Sequence, residues 1–145
     1  MSSVLIVDDE PRVREFLVRW LAPAGYDTRD APDAEAALAA VAASVPDVVL
    51  CDVQMPGRDG LWLVEQLRQR VPAVAIVLAT ANDSVPPVVS LQGGVVEYLV
   101  KPFERDRMLA AVRRAVEWRQ SAPVQTLDSA AAGDPLAEWL NKAKR

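Results

Sequence analysis

Five side chains that could do chemistry stand directly after short apolar segments of the chain. Asp8 and Asp9 follow the first of these segments, Asp52 follows the third, Thr80 the fourth and Lys101 the fifth. If the segments are parallel strands of one sheet, their carboxyl ends share one edge and the side chains converge on one crevice. Carboxylates that come close together repel one another, and a hard divalent cation relieves that repulsion. The pattern therefore predicts a Mg²⁺ site.

The same groups suit the transfer of a phosphoryl group. Mg²⁺ takes phosphate oxygens as well as carboxylates and can neutralise charge on the group in transfer. The hydroxyl of Thr80 and the ammonium of Lys101 can hold the remaining phosphate oxygens. Asp52 ends a buried apolar run and precedes a turn rich in Pro and Gly. We therefore assign Asp52 as the nucleophile, which forms an acyl phosphate.

The elements that must position these groups alternate between strand and helix. Five strands are predicted, at residues 4–7, 26–30, 47–51, 74–79 and 95–100. Helical periodicity follows each strand, at residues 13–21, 34–41, 61–71, 82–90 and 103–119. Three continuous apolar strands and two more polar ones predict three central strands and two edges. The fold predicted is a flavodoxin-like doubly wound α/β fold, in which helices cover both faces of a five-stranded parallel sheet of order 2-1-3-4-5.

Composition limits the classes of function. The chain has 145 residues, 51% of them hydrophobic, which predicts one domain with a tail. No apolar run reaches the roughly 18 residues of a membrane span, and no signal peptide is evident, so we expect a cytoplasmic protein without membrane contact. One cysteine excludes an internal disulfide bond, and the lack of histidine excludes His-based triads and His-ligated zinc. The net charge of −4 argues against direct binding of nucleic acid.

Four ordered motifs resemble those of the receiver domains of two-component response regulators, of the chemotaxis type. They are Val-Asp-Asp-Glu at residues 7–10, Asp52-x-x-Met-Pro-x-x-Asp-Gly, Thr80-Ala81 and Tyr98-Leu-x-Lys-Pro-Phe103. The resemblance covers residues 1 to about 120. It implies a signalling phosphoacceptor, which catalyses only its own phosphorylation and dephosphorylation and is not otherwise an enzyme.

The resemblance also implies roles for the acidic residues. Asp52 is then the phosphoacceptor, and its donor is a phospho-histidine on a sensor kinase or phosphotransfer protein. Asp9, Asp52 and the main-chain carbonyl of Gln54 are implied as Mg²⁺ ligands. Asp8 is implied to act on the metal through water.

A conformational switch is the third implication of the resemblance. Thr80 and Lys101 hold the phosphate, and Tyr98 is the switch aromatic, which turns inward when the threonine moves. The face made by the fourth helix, fifth strand and fifth helix then changes and binds an output domain or target protein, with homodimerisation left open. A cis peptide bond before Pro102 is also implied.

Three alternative functions are weighed against this one. A degenerate receiver used only for protein contacts would not need the acidic, Thr and Lys positions that are present. A Mg²⁺-dependent aspartyl-phosphate phosphohydrolase of the haloacid-dehalogenase type needs a second Asp two residues after the nucleophile, where this chain has Gln54. A flavodoxin or nucleotide binder needs a Gly-rich or Ser/Thr-rich phosphate cradle after the first strand, where this chain has acidic residues.

The remaining segments carry weaker predictions. Residues 1–120 are assigned to the receiver domain, and residues 121–145 to a linker with a short C-terminal helix. The fourth helix contains Pro86 and Pro87, so we expect it to be short or mobile. Cys51 is expected to be a buried small hydrophobe. A solvated face is expected for the arginines of the last helix, Arg105, Arg107, Arg113, Arg114 and Arg119.

Overall fold

The computed structural model describes residues 2–81 and 95–121. Five strands lie in these ranges: β1 (Ser3–Val7), β2 (Asp27–Ala31), β3 (Val48–Asp52), β4 (Ala75–Thr80) and β5 (Val95–Val100). Four helices lie there too: α1 (Pro11–Leu21), α2 (Ala34–Ala43), α3 (Gly60–Arg70) and α4 (Arg105–Ser121). The last of these corresponds to the fifth helix predicted from the sequence. Strands and helices alternate as the sequence indicates in the described ranges, except between β4 and β5, where residues 82–94 lie outside them.

All five strands are parallel and form one sheet of order β2-β1-β3-β4-β5. The more polar strands β2 and β5 are the edges, and the strands that read as continuous apolar runs are central. The flavodoxin-like fold and the strand order are thus confirmed. Because the strands are parallel, the residues that follow β1, β3, β4 and β5 share one edge of the sheet.

Two apolar clusters, one on each face of the sheet, hold the helices in place. Alternate residues of a strand point to opposite faces, so Leu5 joins one cluster and Ile6 the other. The first cluster packs α2 and α3 against the sheet, through residues such as Val41 and Leu67. The second packs α1 and α4, through residues such as Leu21 and Met108. The predicted three-layer arrangement follows from this division.

Two polar side chains bind main-chain groups at the two ends of α2. The carboxylate of Asp33 accepts a hydrogen bond from the main-chain N–H of Ala36 at 2.7 Å and caps the start of α2. At the other end of α2, the guanidinium of Arg29 donates to the main-chain carbonyls of Ala40 (3.0 Å) and Ser44 (2.6 Å). These bonds satisfy groups that a helix end otherwise leaves without partners.

Some expectations about the elements need correction or lie beyond the described residues. Five helices were predicted and four lie in the described ranges, since the predicted fourth helix falls within residues 82–94, outside them. The linker and short helix were predicted at residues 121–145; Ser121 is instead the last residue of α4, and the rest lies outside the described ranges. Four of the five arginines expected on the solvated face of the last helix are exposed, and Arg119 is half-buried. Two of the exposed ones, Arg107 and Arg114, also bind the carboxylate of Glu97 at 2.9 and 2.8 Å. Cys51 is buried, as expected.

None of the described helices combines the length and apolarity that crossing a bilayer requires.

Gly60, the first residue of α3, packs directly against the main chain at the end of β3. Its main-chain N–H donates to the carbonyl of Val53 at 2.9 Å. A Cβ atom at this position would lie 2.8 Å from the Cα of Val53 and would also clash with the main-chain carbonyl of Asp52. The contact is with backbone, which cannot move aside as the end of a flexible side chain can. Only glycine therefore allows α3 to begin this close to Asp52.

Replacing Gly60 tests this close approach. We expect Gly60→Ala to lower the free energy of unfolding by about 1–3 kcal/mol, because the added methyl group overpacks the β3 end. Urea denaturation followed by circular dichroism measures the change. The matched control is Gly57→Asn, since Gly57 has φ +75° but open space around it, and asparagine tolerates that conformation. Equal losses for the two variants would contradict the steric explanation.

Candidate functional site

The carboxyl ends of β1 and β3 bring three carboxylates together. Asp8 and Asp9 follow β1, and Asp52 is the last residue of β3. One carboxylate oxygen from each of the three residues lies within 4.8 Å of the others. Asp8 and Asp52 are buried, with 2% and 6% of their surface exposed, whereas Asp9 is exposed. The three side chains therefore form an acidic cluster that is open to solvent on the Asp9 side.

Lys101 supplies a positive charge to this cluster. Its ammonium nitrogen lies 2.9 Å from Oδ2 of Asp8 and 3.5 Å from Oδ2 of Asp52. The main-chain N–H of Lys101 donates to the carbonyl of Thr80 at 2.7 Å, which ties the end of β5 to the end of β4. The peptide bond between Lys101 and Pro102 is cis, as the resemblance implies. The lysine thus bridges two carboxylates that come from different strands.

Burial and charge change the protonation of both partners. Burial raises the pKa of Asp52; Lys101 lowers it, Asp8 raises it, and the net direction is upward. Burial also disfavours the ammonium of Lys101, but its hydrogen bond to Asp8 and the charge of Asp52 prevail and raise the pKa of Lys101. Lys101 is therefore firmly cationic, while ionised Asp52 is held at a cost in free energy.

The donor set of the cluster fits Mg²⁺. Magnesium prefers carboxylate oxygens together with several waters, and it does not require a complete protein cage. The cluster offers three such oxygens and an exposed side at Asp9 where waters can enter. Two main-chain N–H groups hold the buried carboxylates in place: that of Glu10 donates to Oδ1 of Asp8 at 2.9 Å, and that of Gln54 donates to Oδ1 of Asp52 at 3.2 Å.

The structure also places the predicted switch residues. Thr80 is the last residue of β4 and is fully buried. It follows Ala79, which pairs with Asp52 across the β3–β4 ladder, so Thr80 lies at the same edge of the sheet. Tyr98 lies on β5, pairs with Leu78 and packs, partly buried, against the first apolar cluster. Gln54 lies in the loop after β3 and is exposed.

Two contacts near the site have no signal in the sequence. The guanidinium of Arg14 donates to the main-chain carbonyl of Asp8 at 2.6 Å and to Oδ2 of Asp30 at 2.8 Å. Arg107 and Arg114 both bind Glu97, next to Tyr98 on the edge strand. A helical arginine is usually a solvated charge, and only the packing of the helix against the sheet shows which arginine reaches an acceptor on another element.

The fold and the site together define a flavodoxin-like α/β domain with a lysine-bridged acidic cluster at the carboxyl edge of its sheet. The model of the response regulator receiver domain family matches residues 4–113. The chain belongs to this family.

Several known response regulators are similar to this chain in sequence or structure. The chain is 41% identical over 118 residues to the DNA-binding transcriptional regulator NtrC of Salmonella typhimurium, a match that covers 81% of this chain and 25% of NtrC. The crystal structure of the response regulator TrrA from Thermotoga maritima, in complex with Mg²⁺-BeF, is similar with a TM-score of 0.72 and 33% identity, over 79% of this chain and 99% of TrrA. The chemotaxis protein CheY4 of Vibrio cholerae has a TM-score of 0.72 and 30% identity, over 79% of this chain and 98% of CheY4. The chain spans about a quarter of the length of the NtrC relatives.

The raised pKa of Asp52 predicts a pH-dependent change in stability. When a carboxyl has a higher pKa in the folded than in the unfolded state, the free energy of unfolding of the protein falls as the pH rises from the unfolded-state pKa to the folded-state pKa. We therefore expect Asp52→Asn, measured without metal, to raise the melting temperature at pH 7 by about 2–5 °C and by less at pH 4.

Differential scanning calorimetry at the two pH values measures this difference. The control is Asp27→Asn, which removes an exposed carboxylate of the edge strand β2 and should leave the melting temperature nearly unchanged. A fall in stability on Asp52→Asn at pH 7 would show that the Lys101 contact outweighs burial and repulsion.

Proposed function

We propose that this receiver domain is a phosphorylation-dependent signalling module of a two-component system and that Asp52 is its phosphoacceptor. The donor is a phospho-histidine on a sensor kinase or a phosphotransfer protein. The observation that carries the proposal is the position of Asp52: it is nearly buried, within 4.8 Å of two other carboxylates, and 3.5 Å from the Lys101 ammonium. This arrangement suits a nucleophile whose product carries additional negative charge.

The chemistry is a direct phosphoryl transfer. A carboxylate oxygen of Asp52 attacks the phosphorus atom, a P–O bond forms, and the P–N bond to the histidine breaks. The electron pair of the broken bond stays on the imidazole nitrogen, and the product is an acyl phosphate on Asp52. When Mg²⁺ is bound by Asp9, Asp52 and the main-chain carbonyl of Gln54, with Asp8 acting through water, it supplies neutralisation of charge on the transferred group.

We assign two residues to hold the new phosphoryl group. The ammonium of Lys101 already contacts Asp52, and it can pair with a phosphoryl oxygen that is added there. The Thr80 hydroxyl is proposed to bind a second oxygen, since Thr80 ends the strand next to β3. Both groups come from the adjoining strands β4 and β5, so the charge added on Asp52 acts on these two strands first.

The same two strands link the site to the surface that we propose for output. We infer that Thr80 moves toward the phosphoryl group and that Tyr98 turns inward, which shifts the population between two packings. We propose that β5 and α4, with the predicted fourth helix that falls outside the described residues, offer a changed face to an output domain or target protein, and homodimerisation through this face is included. We propose a cytoplasmic location, with no membrane contact and no direct nucleic-acid contact by residues 1–120. The chain after α4 is proposed as a linker followed by a short C-terminal helix.

Binding of Mg²⁺ tests the acidic cluster directly. We expect isothermal titration calorimetry to detect Mg²⁺ binding by the wild-type chain and a Kd about tenfold higher for Asp9→Asn, because a charged ligand is lost. The matched control is Glu10→Gln, which removes the neighbouring exposed carboxylate and should change the Kd little. Equal effects for the two variants would indicate a general electrostatic attraction and not a defined site.

Phosphorylation tests the assignment of Asp52. We expect acetyl phosphate with Mg²⁺ to add one phosphoryl group, about 80 Da by intact-protein mass spectrometry, which hydroxylamine removes as it does from acyl phosphates. Asp52→Asn should abolish the addition, and chelation of the metal should suppress it. Asp59→Asn, which alters the cap of α3, should retain it. A label that persists in Asp52→Asn would refute the assignment, and no label on the wild type would favour the degenerate receiver.

A further inference from the structure

The main chain of Asp8 lies where a hydrogen-bond ladder stops. The main-chain N–H of Asp8 continues the β1–β2 ladder by donating to the carbonyl of Ala31 at 3.2 Å. β2 ends at Ala31, which pairs with Val7, so the strand does not extend far enough to pair with Asp8. The carbonyl of Asp8 needs a donor from elsewhere, because a buried carbonyl without a partner is unfavourable.

Arg14 supplies that donor from α1. Its Nη1 lies 2.6 Å from the carbonyl oxygen of Asp8, and its Nε lies 2.8 Å from Oδ2 of Asp30 on β2. The Arg14 side chain is only 15% exposed, although its acceptor Asp30 is 49% exposed. A planar guanidinium with two acceptors at fixed positions has little freedom to move. Arg14 therefore fastens the turn after β1 to the edge strand.

This turn carries two of the three carboxylates of the acidic cluster. Asp8 and Asp9 leave β1 in succession, and α1 begins two residues later at Pro11. Glu10, the N-cap residue that precedes the helix, makes no side-chain cap hydrogen bond. The main chain of Asp8 contacts Ala31 and Arg14, and its carboxylate contacts Glu10 and Lys101. The main-chain N–H groups of Val13 and Arg14 donate to the carbonyl of Glu10 at 3.1 and 3.2 Å. Among these contacts, that of the Arg14 guanidinium joins a side chain of α1 to the main chain of Asp8.

We propose that Arg14 is a positioning residue for the acidic cluster: it holds the main chain of Asp8 so that the carboxylates of Asp8 and Asp9 stay in place opposite Asp52. Arg14 touches neither a metal ligand atom nor the proposed nucleophile, and it acts through the Asp8 backbone. This inference rests on the proposed function, because it assumes that the cluster binds Mg²⁺.

The positioning role and a purely electrostatic role of Arg14 predict opposite changes in Mg²⁺ affinity when Arg14 is replaced, which makes the inference testable. A guanidinium this close to the cluster repels a divalent cation, so removing it should tighten Mg²⁺ binding if Arg14 acts only through charge. If Arg14 positions the turn, removing it should weaken binding, since residues that orient metal ligands affect affinity by about 10–100-fold. The sign of the change therefore separates the two roles.

The experiment compares three variants with the wild-type chain by calorimetric titration with Mg²⁺. We expect Arg14→Met to raise the Kd about tenfold. Arg14→Lys, which keeps the charge but can reach one acceptor at a time, should give an intermediate Kd. Arg29→Met is the matched control: Arg29 also donates to main-chain carbonyls, but at the far end of α2, and its loss should leave the Kd unchanged.

A second measurement needs no metal. The main-chain N–H of Glu10 donates to the carboxylate of Asp8, and its hydrogen exchange, followed by NMR without Mg²⁺, reports on the turn. We expect this exchange to be severalfold faster in Arg14→Met and unchanged in Arg29→Met. Unchanged or tighter Mg²⁺ binding by Arg14→Met, or an equal loss in Arg29→Met, would overturn the inference. If the wild-type chain binds no Mg²⁺, the proposed function fails in its metal site, and unchanged Glu10 exchange would then overturn the positioning role as well.

Discussion

The mutual repulsion of three carboxylates is the constraint on which the rest of the site depends. Asp8, Asp9 and Asp52 are held within 4.8 Å of one another by the ends of two adjacent strands, and burial adds to the cost of ionising Asp52. Lys101 offsets part of this cost by bridging Asp8 and Asp52. The negative charge that Lys101 leaves unneutralised attracts cations and groups that bring a cation with them. The fold thus leaves excess negative charge at one edge of the sheet, which binding of a metal ion with a phosphoryl group would neutralise.

Sequence reasoning located most of this arrangement because it depends on periodicity and order. Apolar runs that end at Asp52, Thr80 and Lys101 fix the strand ends, and parallel strands in a known order must bring those ends to one edge. The polar character of β2 and β5 likewise predicts that they are edges. The strand limits differ from the prediction by about one residue, since side-chain burial changes gradually at a strand end while main-chain pairing stops at one residue.

The contacts that sequence reasoning did not find are made by long side chains to main-chain or distant acceptors. Arg14 and Arg107 look like ordinary surface residues of amphipathic helices, and nothing in their spacing indicates that one reaches Asp8 and the other Glu97. The same holds for Gly60, which must lack a side chain because the main chain of Asp52 and Val53 lies next to it. Such requirements arise from how a helix is set on the sheet, which local patterns do not specify.

The burial of Cys51 has a practical consequence. Its thiol lies inside the first apolar cluster, and burial, together with the charge of Asp52, shifts its pKa upward. The nucleophilic thiolate is therefore scarce, and alkylating reagents have little access to it. A cysteine introduced at an exposed position of α4, such as Arg113, would be modified selectively in the otherwise natural chain. The protein is thus suited to attachment of a fluorophore or spin label without prior replacement of Cys51.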